Sequence, residues 1–166
     1  MSSWPILSLD LATKTGWALR NRDGKVLSGV KEFPLKRGES RGIRFLRFRK
    51  WLRECLELGK FGLRFCDNAP GVIVYEQAHH RGGYATEVAV GLVTDVLAEA
   101  AREGIEHMSV HSGTLKKAIT GSGRSSKADM IAQVKLWYPN MHIIDDNHAD
   151  ALCLLHYGIN EIGKVS

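Results

Sequence analysis

Three acids stand where the surrounding sequence calls for hydrocarbon. Asp10 closes the apolar run Ile6-Leu-Ser-Leu, Glu76 closes Val72-Ile-Val-Tyr, and Asp150 lies inside Ala149-Asp150-Ala151-Leu152-Cys153-Leu154-Leu155. An ionised carboxylate in such surroundings is costly unless a cation compensates it. Taken singly, each acid could be a helix cap or a salt-bridged core residue. Three of them at the edges of separate buried elements point instead to a cluster of hard oxygen ligands, the donor set of Mg²⁺ or Mn²⁺. Asp146 and Asn147 precede Asp150 by four and three residues. In a helix both share its face, so either can complete a fourth ligand, while one of the pair is expected to cap the helix.

The cations are as unevenly placed as the acids. Segment 36–53 carries Lys36, Arg37, Arg41, Arg44, Arg47, Arg49, Lys50 and Arg53 against the single acid Glu39, a local net charge of +7, which leaves −2 on the rest of a chain whose total is +5. Phe45, Phe48, Leu52 and Leu56 form one helical stripe there, Arg47 and Lys50 point away from it and Arg53 flanks it, a pattern that suits either a solvated helix face or a phosphate-binding one. Segment 112–128 carries Lys116, Lys117, Arg124 and Lys127 with no acid. Its Gly121-Ser-Gly-Arg-Ser-Ser stretch is too flexible for packing, which favours contact with a polyanion.

The elements that must position these groups are legible from periodicity. Strands are expected over 5–11, 15–20 and 25–33, the last two joined by the hairpin turn Asn21-Arg-Asp-Gly24. A helix over 40–58 follows, then an irregular connection over 61–70 and a short buried strand over 71–76. Further on come a helix over 84–103, a strand over 106–110, a short helix over 111–119, a helix over 126–138 opened by the Ser126/Asp129 capping box, a short extended segment over 141–144, and a last helix over 147–160 that is apolar nearly all round. Three strands in a meander followed by alternating helices and strands give an α/β fold around a mixed sheet.

The 166 residues, 44% hydrophobic and 25% charged, suit one globular domain over 1–166 and exclude a disordered or fibrous chain. Apolar runs fall short of a membrane span, and no cleavable leader precedes the first strand, which argues against secretion. Cys55, Cys66 and Cys153 lack Cys-x-x-Cys spacing and suit a reducing, cytoplasmic setting. The seven histidines match no structural zinc spacing, and His79 and His80 read as ordinary loop residues.

Four motifs taken in order, Ile6-Leu-Ser-Leu-Asp10-Leu-Ala-Thr-Lys-Thr-Gly16-Trp, Val72-Ile-Val-Tyr-Glu76-Gln, Leu115-Lys-Lys-Ala-Ile-Thr-Gly-Ser-Gly-Arg-Ser-Ser-Lys127 and Asp146-Asn-His-Ala-Asp150-Ala-Leu, resemble the RuvC family of Holliday junction resolvases across about 6–157. The resemblance implies a ribonuclease H-like fold, a five-stranded mixed sheet flanked by helices, with Asp10, Glu76 and Asp150 holding two Mg²⁺ ions, or Mn²⁺ in their place. It also implies a homodimer, with the helix beginning near Tyr84 as its contact, that nicks two opposed strands of a DNA four-way junction and leaves 5′-phosphate and 3′-hydroxyl ends. Asn147 stands where many members carry an acid or a histidine, so Asp146 and Asn147 both remain candidates for the fourth ligand. The heavy basic run is similar to the more divergent resolvases of phages and prophages.

On this reading Lys116, Lys117, Arg124 and Lys127 neutralise phosphates near the scissile bond, with one lysine, here assigned as Lys127, stabilising transition-state charge. Arg44, Arg47, Lys50 and Arg53 track a junction arm, and the loop with Arg81 enters the junction centre, where Tyr84 or His80 stacks on a base. Two other readings use the same residues: a ribonuclease H-like nuclease acting on RNA or on flaps and forks, and a catalytically silent junction-binding protein, which Asn147 keeps open. An actin-like ATP-binding fold accounts for the Asp10 loop but not for Glu76 and Asp150.

Overall fold

The computed structural model describes residues 4–57, 71–79 and 82–164. The chain runs β1 (Ile6–Asp10), β2 (Lys14–Arg20), β3 (Val26–Glu32), α1 (Gly42–Glu57), β4 (Val72–Glu76), α2 (Gly83–Glu103), β5 (Glu106–Val110), α3 (Ser112–Thr120), α4 (Lys127–Trp137) and α5 (Asp146–Gly163). The strands form one sheet in the order β3-β2-β1-β4-β5. The meander β1–β2–β3 is antiparallel, and β1–β4 and β4–β5 are parallel, so the sheet is mixed as its sequence order implies.

Strand alternation builds two cores from one sheet. Leu7, Leu9, Ile73 and Tyr75 face α1 and α2, where they meet Phe48, Leu52, Val88, Leu92 and Val96. Ile6, Val72 and Val74 face the other way, onto Ala151, Leu152 and Leu155 of α5 and onto α3 and α4 beyond it. Helix α5 lies between sheet and outer helices, which is why its sequence is apolar on nearly every side.

Local chemistry fixes the boundaries. Gly24 takes φ +80° in the β2–β3 turn, and the Gly24 N–H donates to Asn21 O at 3.1 Å. The capping box at α4 is present, with Ser126 and Asp129 exchanging bonds. Segment 141–144, expected to be extended, joins no strand, and its last residue, Ile144, donates its N–H to His148 Nδ1 at 3.1 Å. The expected connection over 61–70, and with it Cys66, lies outside the described residues. Among the described residues no helix is long and apolar enough to cross a membrane.

Candidate active site

Residues 6, 8 and 10 of β1 share one face of the sheet, as do 72, 74 and 76 of β4. The parallel register pairs Leu9 with Tyr75, so Asp10 and Glu76 are the next residues of adjacent strands, both on the face covered by α5. Helix α5 is drawn onto this face by Ser8, whose buried hydroxyl donates to Ala151 O at 2.7 Å. That bond sets Asp150, one residue earlier, beside the strand ends.

The N-terminus of α5 sits unusually close to β2. A Cβ on Gly16 would stand 1.9 Å from Asn147 O, so only glycine admits the helix here. Asp145 caps the helix, accepting the His148 N–H at 2.9 Å while its other oxygen meets Lys14 Nζ at 2.7 Å. Burial works against the charge on Asp145, but the Lys14 and His148 bonds outweigh it and hold the carboxyl below its usual range. The cap was expected at Asp146 or Asn147; with Asp145 in that place, both lie in the first turn, where Asn147 lines the cleft and Asp146 meets Lys127.

A cleft of about 250 Å³ is lined by Asp10, Glu76, Asp150, Asn147, Lys116 and Lys127, among others. Its acids act strongly on one another. Burial first, then the charges of Asp150, Glu76 and Asp146, push the Asp10 carboxyl well above the ordinary carboxylate range, with Lys127 opposing. Burial and the charge of Glu76 push Asp150 up to about 6. Lys127, at the start of α4, forms an ion pair with Asp146, which is held below its usual range by that bond. Asp146 is thereby engaged by an ammonium, while the Asn147 side chain carries no charge.

Burial first, and then repulsion among the acids, disfavours the charged forms of Asp10 and Asp150, and a cation placed in the cleft would favour them. The donors are hard oxygens, the chemistry of Mg²⁺ and Mn²⁺, so the residues fit a divalent cation. Among the described residues no three His, Cys, Asp or Glu side chains stand close enough together to hold a metal ion as they are; the carboxylates line the cleft and act on each other through charge.

A second cleft, of about 270 Å³, shares Asp10 and Glu76 with the first and extends along α2 past Ala85, Ala89 and Val93. His79 lines it, with Nε2 at 3.0 Å from Glu76 Oε1. Read from sequence as an ordinary loop residue, it touches the candidate site directly. A histidine three residues beyond a strand-ending acid was the available signal.

The basic helix is less available than its sequence suggests. Arg44 is buried: its Nε donates to Phe33 O at 2.9 Å and its Nη1 to Tyr84 Oη. Arg47 is paired with Glu39, Arg49 with Asp95, and Arg53 with Glu99. Acids of the β3–α1 loop and of α2 meet Arg47 and Arg53, and the Phe33 carbonyl and Tyr84 hydroxyl meet Arg44, so these guanidinium groups tie α1 to its neighbours. Lys50 has a place on the outer surface, beside Leu46 and Glu54. Tyr84, with 41% of its surface exposed, has the Arg41 guanidinium 4.8 Å above its ring, which occupies the face expected to stack on a base. Lys117 and Arg124 are exposed on α3 and on the loop after it, whose hydroxyls brace one another through Ser125 Oγ donating to Ser122 O at 2.7 Å. Arg81 and His80 lie outside the described residues.

A mixed five-stranded sheet in the order β3-β2-β1-β4-β5 with helices on both faces is a ribonuclease H-like α/β fold. Within that class, the solved structure of Thermus thermophilus RuvC is similar to this chain with a TM-score of 0.73 at 19% identity, over 96% of each chain. T. thermophilus RuvC in complex with Holliday junction substrate is similar with a TM-score of 0.73 at 18% identity, over 92% of this chain and 90% of that one. No family model and no curated relative matches the sequence.

Proposed function

We propose that this chain is a metal-dependent, structure-selective endonuclease that resolves DNA four-way junctions by paired, symmetric nicks leaving 5′-phosphate and 3′-hydroxyl ends. The observation that carries the reading is the placement of Asp10 and Glu76 side by side at adjacent strand ends, with Asp150 over them, in a fold shared with a protein whose structure holds a Holliday junction.

Asp10, Glu76 and Asp150, which line one cleft, are the residues that would hold the cations. Asn147 offers a neutral oxygen at the rim, and Asp146 joins only when Lys127 releases it. Bound in this cleft, Mg²⁺ or Mn²⁺ would supply Lewis acidity at the scissile phosphate and to the attacking water. Lys116 and Lys127 line the same cleft and neutralise the phosphate there; Lys127, once drawn from Asp146, stands ready to balance charge developing on the transferred oxygens. Lys117 and Arg124 continue the positive edge along the backbone.

One chain contributes one such cleft, so two opposed nicks call for a second copy. Helix α2 presents Val90 and Leu97 to solvent and is the natural contact for it.

Incubation with a labelled four-way junction, a flap and an RNA–DNA hybrid in Mg²⁺ and in Mn²⁺, with nick positions mapped, tests the reading. Paired symmetric nicks on the junction alone support it. Cutting of flaps or hybrids, or binding to the junction without any cut, would instead assign one of the two other readings.

A further inference from the structure

Glu76 ends β4 with its side chain one-fifth exposed, and the side chain that meets its carboxylate is His79. An ionised carboxylate only accepts, so the hydrogen in the 3.0 Å contact between His79 Nε2 and Glu76 Oε1 belongs to the imidazole. The segment carrying His79 is fixed from three sides. Gln77 N–H donates to Val110 O at 2.9 Å, continuing the β4–β5 ladder past Glu76. Thr86 of α2 places Oγ1 at 3.2 Å from His79 O. The His111 ring meets the His79 ring edge-on at 6.1 Å between centroids, and is itself fixed as the cap of α3 by accepting the Gly113 N–H at 3.1 Å.

We propose that His79 is a positioning residue for Glu76: donation from Nε2 occupies one lone pair of the carboxylate and holds the rest presented to the cation that Asp10 and Asp150 share. This rests on the reading of the cleft as a divalent-metal nuclease site. His79 acts through Glu76, as partners of metal ligands generally do.

The test is Mn²⁺ binding to the full chain, followed by electron paramagnetic resonance, for the wild type, His79→Ala and His79→Gln, with junction nicking measured against Mn²⁺ concentration in parallel. Loss of a group that orients a ligand typically costs about 10–100-fold in metal affinity. His79→Ala is expected to weaken Mn²⁺ binding by that factor and move nicking to higher Mn²⁺, with the saturated rate near wild type. His79→Gln carries an amide N–H where the imidazole carries Nε2–H and is expected to restore most of the affinity. His79 is exposed in a loop, so both variants should keep the wild-type melting temperature. Unchanged Mn²⁺ affinity in His79→Ala overturns the proposal, as does a His79→Gln variant as weak as His79→Ala, which would make the imidazole nitrogen itself a ligand. A wild type that neither binds Mn²⁺ nor nicks refutes the underlying nuclease reading, a failure visible before any His79 substitution is made.

Discussion

Ser8 Oγ donates to Ala151 O at 2.7 Å, joining the middle of β1 to α5 one residue from Asp150. Strand and helix thus carry Asp10 and Asp150 two and one residues away from a shared buried hydrogen bond. Ser8→Ala is expected to cost about 1 kcal/mol, the net worth of such a bond. It should also weaken Mn²⁺ binding, because α5 loses its registration on the strand. Thermal melting and metal titration on one preparation check both; lost stability with unchanged Mn²⁺ affinity would confine Ser8 to the core.

Asp10→Asn, Glu76→Gln and Asp150→Asn are each expected to abolish Mg²⁺-dependent nicking while leaving four-way-junction binding largely intact. Asp10→Asn and Asp150→Asn should also raise the melting temperature of the metal-free protein near neutral pH, since each removes a buried charge repelled by its neighbours. Full nicking by any of the three removes that residue from the metal assignment.

The Asp150 carboxyl, at about 6 against an ordinary 3.8, binds its proton more tightly in the folded chain than in the unfolded one. Its contribution to stability is therefore complete below the unfolded value and is lost as the pH rises through about 6. The loss for this group alone is on the order of 3 kcal/mol. Melting curves of the metal-free protein should decline across that window, and saturating Mg²⁺ should suppress the decline by binding the ionised form. A flat profile without metal would contradict the clustering of the acids.

Gly16→Ala drives a methyl group into Asn147 O, with a Cβ separation of 1.9 Å before relaxation. The first turn of α5 must then lift from β2, at a cost of about 3 kcal/mol on the scale of overpacked sites. The expected result is a lower melting temperature together with weakened Mn²⁺ binding, as Asn147 and Asp150 move with the helix.

Arg49 and Lys50 are adjacent in α1 but belong to different tasks. Arg49→Ala leaves the buried Asp95 without the partner that its Oδ1 holds and is expected to cost roughly 3 kcal/mol. Lys50→Ala should leave melting unchanged; if the outer face of α1 touches a junction arm, it should reduce the slope of log affinity against log salt by about 1. An unchanged slope assigns that face to solvent.

Much of the site was legible because strand geometry is periodic. Asp10 ends a run whose alternate residues are buried on opposite faces, and Glu76 ends another, so parity alone places both on one side. Asp150 showed itself as an acid inside the apolar run from Ala149 to Leu155. What escaped were relations across the sheet: Ser8 with Ala151, Gly16 with Asn147, Asp145 rather than its neighbours as cap. Each depends on how far apart α5 and the strands sit, a distance no local pattern encodes. The ion pairs of Arg49 and Arg53 escaped for a similar reason, because their partners Asp95 and Glu99 lie 46 positions away.

Cancellation of those arginines also shapes how a polyanion arrives. Glu39, Asp95 and Glu99 neutralise the α1–α2 wall at close range, whereas Lys116, Lys117 and Arg124 stand on and after α3 beside the acids of the cleft. Within about a Debye length, roughly 8 Å at physiological salt, the paired arginines of that wall are partly cancelled by their acids, and the cations at the cleft stand beside acids of their own. For a chain that takes a polyanion as proposed, such alternation of sign would make the approach depend on orientation, and on salt through the few cations that stand outside ion pairs.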